Sequence, residues 1–309
     1  MNRFMQTTSY LMKQHTKRVG IIGLGIMGSI IARALIQAGH EVVGYDPMPA
    51  ARARLRRSGG RVLASGTEVA RQADALICSL PSTAALHAVV ADVQQAGRPK
   101  AGQIVIETST LPLADKLAAA AALHKQGRQM VDAPISGTAT PAPQQNWIIY
   151  LSGSPGACRE AAALAQAFTL QAPRVGALGA GTKLKLAANH LVAIYNVAYA
   201  EMVTLCRRME LDPAVALAQM GHSPYIGTGA MRLRMPMMIE RKYEPASMKI
   251  ELWQKDMQII SEMARSVHCP TPLLDTCHSI YTAAMALGLG ELDTAATAEV
   301  LARMAGDKA

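Results

Sequence analysis

The chain has 309 residues, half of them apolar, 17% charged and 4% aromatic. Such a length is about twice that of an ordinary domain, and so apolar a composition excludes a disordered or fibrous chain. Lys and Arg exceed Asp and Glu by 31 − 22 = 9, a balance that could attract nucleic acid, anionic membranes or anionic small molecules, yet the basic clusters at Arg52, Arg54, Arg56, Arg57, Arg61 and at Arg232, Arg234, Arg241, Lys242 lack interleaved aromatics and read as a solvated basic face in preference to a nucleic-acid surface.

In chain order, residues 1–17 form a basic, acid-free stretch without the apolar core of a secretory signal. It reads as a flexible arm, with a mitochondrial address as the alternative. From residue 18, short apolar runs alternate with amphipathic ones. Strands are predicted at 19–22, 41–45, 75–80, 103–107, 129–135 and 147–152. Helices are predicted at 27–38, 50–57, 83–94, 113–125 and 155–167. This βαβ rhythm implies a parallel sheet flanked by helices, an α/β doubly wound, Rossmann-like domain over 18–178. After Val175 every segment reads helical, so 179–309 is expected to be an all-α domain. It opens with a long helix from Thr182, a plausible N-cap, to about Arg208, roughly 40 Å at 1.5 Å per residue.

No uncharged apolar run reaches the ~20 residues of a membrane span; the nearest, 186–200, contains Asn189, His190 and Asn196. The five cysteines, Cys78, Cys158, Cys206, Cys269 and Cys277, form no paired framework. They suit reduced thiols in the cytoplasm, and no ligand spacing implies a metal.

Val19-Gly20-Ile21-Ile22 runs into Gly23-Leu24-Gly25-Ile26-Met27-Gly28 and then a helical pattern. Strand, glycine turn and helix together make a dinucleotide site: Gly23 for the tight turn, Gly25 for close approach of a pyrophosphate, Gly28 for packing of helix on strand. About twenty residues on, Asp46 ends the second strand and can accept ribose hydroxyls, which favours NAD. Arg52 and Arg54 follow closely enough to admit NADP. Two further strand ends, at Ser79-Leu80-Pro81 and Glu107-Thr108-Ser109-Thr110, place small polar groups where such sheets bind ligands.

Five ordered blocks carry a resemblance over nearly everything from Arg18 onward: GLGIMG at Gly23, ETSTLP at Glu107, DAPISG at Asp132, GAGTKLKLAAN at Gly179 and the Lys255-Asp256 pair. They resemble the β-hydroxyacid dehydrogenase family, which includes 3-hydroxyisobutyrate dehydrogenase, tartronate semialdehyde reductase and glyoxylate/succinic semialdehyde reductases. The resemblance implies a 6-phosphogluconate dehydrogenase-like fold, NAD or NADP as cofactor, a small hydroxy acid or its semialdehyde as substrate, and a homodimer or homotetramer. It makes Lys185 the catalytic lysine, Asn189 the residue that orients substrate, and Ser136 and Gly137, followed by Thr138, the substrate loop. It makes Thr110 and Lys255 cofactor contacts, beside Leu80 and Pro81. Spacing agrees with part of this, because Lys185 and Asn189 are four apart and share one face of a helix. An ordinary lysine titrates near 10.4, so Lys185 needs desolvation or a neighbouring cation to act as a base near neutrality.

Three departures from the family pattern bear on the substrate: the first narrows the anion-binding turn, and the second is expected to suit a larger or differently charged substrate. Thr138 stands where the loop has a second glycine, Pro141, Pro143 and Gln144-Gln145-Asn146 replace a small, glycine-bearing stretch, and Ala188 replaces a second asparagine. Two other functions share the scaffold, imine reduction and a catalytically silent dinucleotide-binding protein. In both, relatives lose the lysine that this chain keeps.

Overall fold

The computed structural model describes residues 16–137 and 147–307. The strands are β1 (Arg18–Ile22), β2 (Glu41–Tyr45), β3 (Arg61–Val62), β4 (Ala75–Cys78), β5 (Ile104–Glu107), β6 (Gln129–Asp132), β7 (Ile135–Ser136), β8 (Ile148–Ile149), β9 (Leu151–Ser152) and β10 (Arg174–Gly176). The helices are α1 (Ile26–Gln37), α2 (Pro49–Arg57), α3 (Gly66–Gln72), α4 (Thr83–Gln95), α5 (Leu113–His124), α6 (Pro155–Ala165), α7 (Ala180–Arg208), α8 (Pro213–Met220), α9 (Gly229–Glu240), α10 (Ile250–Ser266), α11 (Pro272–Ala286) and α12 (Thr297–Met304).

The chain divides into two compact units. The first comprises the described residues up to Ser109 together with 117–133 and 151–178; the second comprises 110–116, the described part of 134–150, and 179 onward. Residues 110–116 and the described part of 134–150 thus group with the second unit.

The first unit is built on a sheet in the order β10-β9-β6-β5-β4-β1-β2-β3, parallel except where β6 meets β9. A parallel sheet covered on both faces demands continuous apolar strands, and Val19, Ile21, Val43, Leu76 and Ile77 have no exposure at all. Burial of each such side chain contributes about 1.5–3 kcal/mol. The chain leaves β1 for β2 on one side and reaches β4 on the other. Strand order therefore reverses between β1 and β4, the switch point where such sheets open a crevice at their carboxyl ends.

Among the described residues the second unit is helical apart from the β7–β8 pair, in which Ile135 faces Ile149 and Ser136 faces Ile148. Its core unites Leu186, Val197 and Val203 of α7 with Met235 of α9, Trp253 and Met257 of α10, and Tyr281 of α11. Arg234 and Asp293, both buried, pair at 2.6 Å, and Asp293 also accepts the Ser247 hydroxyl and the backbone N–H groups of Ser247 and Ala295. Those donors satisfy a carboxylate that burial alone would penalise.

Three sequence expectations are corrected. The strand expected over 129–135 ends at Asp132, because Pro134 has no N–H to continue a ladder. The strand expected over 147–152 splits at Tyr150, whose N–H meets the Pro134 carbonyl while the next N–H, of Leu151, meets Pro173. Successive N–H groups of a strand point to opposite sides, so one extended segment serves two sheets. Thr182 is not a cap: α7 starts three residues earlier, after Gly179 at φ 90°, a left-handed conformation that favours glycine. Helix α3 and strands β3 and β10 were absent from the sequence-based prediction. For α3 the signal was present, since the Ser65 hydroxyl accepts the Glu68 N–H and the Glu68 carboxylate reaches back to the Ala64 N–H, a capping-box arrangement.

Candidate active site

The glycine turn lies in the first unit, at the carboxyl end of β1. Gly23 adopts φ 90°, and a Cβ there would meet the Ser79 carbonyl oxygen at 2.2 Å; one at Gly28 would meet the Gly23 carbonyl oxygen at 1.9 Å. Both positions thus exclude a side chain within the fold itself. Gly25 differs: it is exposed, its φ is −63°, and a Cβ there would meet nothing within 4 Å. No side chain caps α1, so its first-turn N–H groups face outward beside an open approach, as binding of a pyrophosphate requires. Leu24 is buried, Ile26 is exposed and Met27 is half-buried.

Asp46 stands directly after β2 and is buried. Its Oδ2 accepts the Leu24 N–H at 2.7 Å and its Oδ1 the Met48 N–H at 2.8 Å, which ties the glycine turn to the next strand end. Across the switch point, the Ser109 hydroxyl accepts the Leu80 N–H at 2.7 Å, and the Thr108 hydroxyl donates to the Cys78 carbonyl at 2.7 Å. These bonds fix the ends of β4 and β5, with Leu80 half-buried and Pro81 exposed at the rim. The glycine turn, the free helix terminus and a carboxylate on the neighbouring strand fit an NAD(P) dinucleotide, whose pyrophosphate would lie on Gly25 and the start of α1 and whose adenosine ribose would lie toward Asp46.

The second unit gathers the other sequence-assigned groups. Lys185 is half-buried on α7, and one turn on is Asn189, which is buried. The Asn189 amide donates to Asp256 Oδ2 at 3.0 Å, and Lys255 Nζ lies 3.3 Å from Asp256 Oδ1. Lys255 also donates to the Thr110 carbonyl at 2.9 Å, so Thr110, Asn189, Lys255 and Asp256 form one hydrogen-bonded group. Burial holds Lys185 below the usual lysine range, and the Asp256 carboxylate opposes that shift. Burial also pushes Asp256 above the usual carboxylate range, against the pull of Lys255, Lys185 and the Asn189 hydrogen bond. The result is a lysine brought nearer to neutrality, able to take or give a proton at Nζ, beside a carboxylate that keeps part of its positive character.

Asp256 had no assigned role in the sequence reading, although its neighbour Lys255 did. The signal was its place in α10: Trp253, Met257, Ile260 and Ala264 make the buried stripe, and Asp256 falls on it at helical spacing. A carboxylate on an apolar stripe requires partners.

Ser136 ends β7 in the second unit and Gly137 follows it, Ser136 half-buried and Gly137 exposed at φ 143°. A Cβ on Gly137 would come within 2.5 Å of the Trp147 indole, so the indole covers the glycine. Thr138 and the departures at 141 and 143–146 lie outside the described residues. Elsewhere in the second unit Lys249 pairs with Glu291, Arg232 donates to the Gly221 carbonyl, and Tyr225 is open to solvent. Among the described residues no group of three or more His, Cys, Asp and Glu side chains is placed to hold a metal ion, and no helix is long and apolar enough to cross a membrane.

Fold and site together define a dinucleotide-binding oxidoreductase with a helical second unit. Residues 18–179 match the model of the NAD-binding domain of 6-phosphogluconate dehydrogenase, and residues 179–301 match that of the NAD-binding domain of NADP-dependent 3-hydroxyisobutyrate dehydrogenase. The L-threonate dehydrogenase of Cupriavidus necator is 29% identical over 288 residues, 92% of this chain and 96% of that protein. The crystal structure of 3-hydroxyisobutyrate dehydrogenase from Salmonella typhimurium superposes with a TM-score of 0.80 at 29% identity, covering 92% of this chain and 99% of that one. The Mycobacterium tuberculosis 3-hydroxyisobutyrate dehydrogenase with L-serine gives a TM-score of 0.84 at 25% identity, covering 93% and 99%. The chain belongs to the β-hydroxyacid dehydrogenase family, NAD(P)-dependent dehydrogenases that act on CH–OH groups.

Proposed function

We propose that the protein interconverts a small 3-hydroxy acid and its semialdehyde, with Lys185 as the proton-transfer group. The observation that carries this reading is a lysine whose pKa burial lowers, one helical turn from a buried asparagine and electrostatically coupled to a buried carboxylate. A bound nicotinamide supplies the hydride acceptor for oxidation and the donor for reduction. In the oxidative direction neutral Lys185 Nζ takes the hydroxyl proton; in reduction its ammonium returns it. Asn189 orients the substrate oxygen, and Ser136 with the N–H of Gly137 receives the carboxylate. Asp256 holds Asn189 and Lys255 in place and keeps the Lys185 pKa from falling further.

The names of the relatives support a panel of small hydroxy acids, with L-threonate, 3-hydroxyisobutyrate and L-serine first. Initial rates of NADH and NADPH formation across it, with Lys185→Met in parallel, test the proposal. Turnover confined to the parent is expected; full turnover by Lys185→Met overturns the role of the lysine. The assembly proposed is a homodimer, or a homotetramer built from it. Leu184, Leu191 and Leu205 support this, exposed along α7 at intervals of seven and fourteen residues, the spacing of a helix-pairing seam. A cytoplasmic location is supported by cysteines that are all free thiols.

A further inference from the structure

The glycine that follows β7 has a bulky neighbour. In the β7–β8 pair Ile135 faces Ile149 and Ser136 faces Ile148, so the next positions in register are Gly137 and Trp147. Side chains alternate between faces along a strand. The Trp147 indole therefore falls on the face of Ile135 and Ile149, both buried, and the Ser136 hydroxyl on the opposite face. The contact at Gly137 is close: a Cβ there would lie 2.5 Å from Cδ1, 3.3 Å from Cγ and 3.4 Å from Cα of Trp147. Gly137 also holds φ 143°, a conformation that L side chains rarely adopt. Glycine has more backbone states to lose than any other residue. The indole edge fills the space on one side of Gly137 and excludes the states that would swing its peptide to that side. The other side stays open, with Gly137 exposed and Ser136 half-buried.

We propose that Trp147 is a positioning residue, whose indole braces the Gly137 peptide so that its N–H stays aimed at the substrate carboxylate beside the Ser136 hydroxyl. The proposal rests on the reading of Ser136 and Gly137 as the carboxylate site. Trp147 acts on the backbone from the face opposite Ser136, through Gly137. A carboxylate gains its charge-assisted hydrogen bonds only from donors that point at it. A donor already held in that geometry costs no ordering when the ligand arrives. Loss of the brace weakens the hold on the carboxylate in ground state and transition state alike, which raises KM and spares kcat.

Steady-state oxidation of L-threonate and of 3-hydroxyisobutyrate by the full chain tests this role. Trp147→Ala is expected to raise KM about tenfold or more with kcat within about threefold of the parent. Trp147→Phe, whose ring still covers the glycine, is expected to bring KM back to within about threefold. Ser136→Ala should raise KM as well, since it removes a donor from the same site. An unchanged KM in Trp147→Ala, with KM raised in Ser136→Ala, overturns the brace. So does a loss carried by kcat, or a KM that Trp147→Phe fails to restore, either of which would make the indole a general support of the fold. A KM indifferent to Ser136→Ala removes instead the carboxylate-site reading beneath the proposal. A parent that turns over neither acid removes the hydroxy-acid reading, and the proposal falls with it.

Discussion

Replacing Gly25 with alanine separates what the glycine turn needs in order to fold from what it needs in order to bind. At φ −63° with nothing within 4 Å of the added Cβ, alanine meets no strain and no neighbour. Loss of freedom in the unfolded chain then stabilises the protein by about 0.4–1 kcal/mol. The methyl group nevertheless fills the space through which a pyrophosphate approaches the start of α1. Dinucleotide affinity is expected to fall at least tenfold, about 1.4 kcal/mol. Gly28→Ala has the opposite structural consequence, because its Cβ would lie 1.9 Å from the backbone oxygen of Gly23, and backbone cannot swing aside as a flexible side chain can. Such overpacking costs about 1–3 kcal/mol. Titration of NAD⁺ by calorimetry, with urea unfolding of each variant, reads both quantities. Gly25→Ala binding within twofold of the parent, or unfolding more readily than it, would refute this account of the turn.

Asp256→Asn removes the charge that raises the Lys185 pKa while leaving an oxygen to accept from Asn189. In the proposed mechanism neutral Lys185 is the base for oxidation, so the rise of kcat/KM with pH is expected to move to lower pH, and a rise left in place or moved upward would contradict the coupling. Arg234→Met strands the buried Asp293 carboxylate, and urea unfolding should show a loss of about 3–5 kcal/mol; a change under 1 kcal/mol would mean that the backbone donors suffice. Leu191→Glu places a charge in the middle of the exposed stripe on α7, so on the proposed assembly light scattering should show a dimer for the parent and a monomer for the variant, and an unchanged mass would move the interface elsewhere.

What the sequence disclosed is local. The glycine turn was legible because strand, turn and helix are contiguous, and each glycine answers to a geometric demand that its neighbours in sequence create. The position of Asp46 was legible for the same reason, since it directly follows the very next strand. Three features were not. That Pro134 and Tyr150 would divide two strands between separate sheets depends on which partners the N–H groups find, and Pro173 lies far along the chain. The start of α7 was misplaced because a threonine is a good cap in isolation, whereas Gly179 can take the left-handed turn that the chain actually makes. The role of Asp256 depends on Asn189, 67 residues away; only the carboxylate on an apolar stripe hinted at it.

The buried carboxylate also explains why the lysine alone is an insufficient signature of this chemistry. A lysine desolvated without a counter-charge would be a free amine over most of the pH range, unable to hold the proton that reduction must deliver. A lysine fully paired with a carboxylate would stay an ammonium and could not take the proton that oxidation releases. Here burial lowers the Lys185 pKa, and Asp256 opposes that shift while its own charge is divided among Lys255, Asn189 and Lys185. Sharing weakens its grip on any one of them. Lys255 and Lys185 both act on Asp256, so Lys255→Met is expected to leave the carboxylate with one fewer cation and to strengthen its hold on Lys185. The rise of kcat/KM would then move to higher pH, opposite to the direction expected for Asp256→Asn. Shifts of the same sign in the two variants would show that the three charges do not form one coupled group.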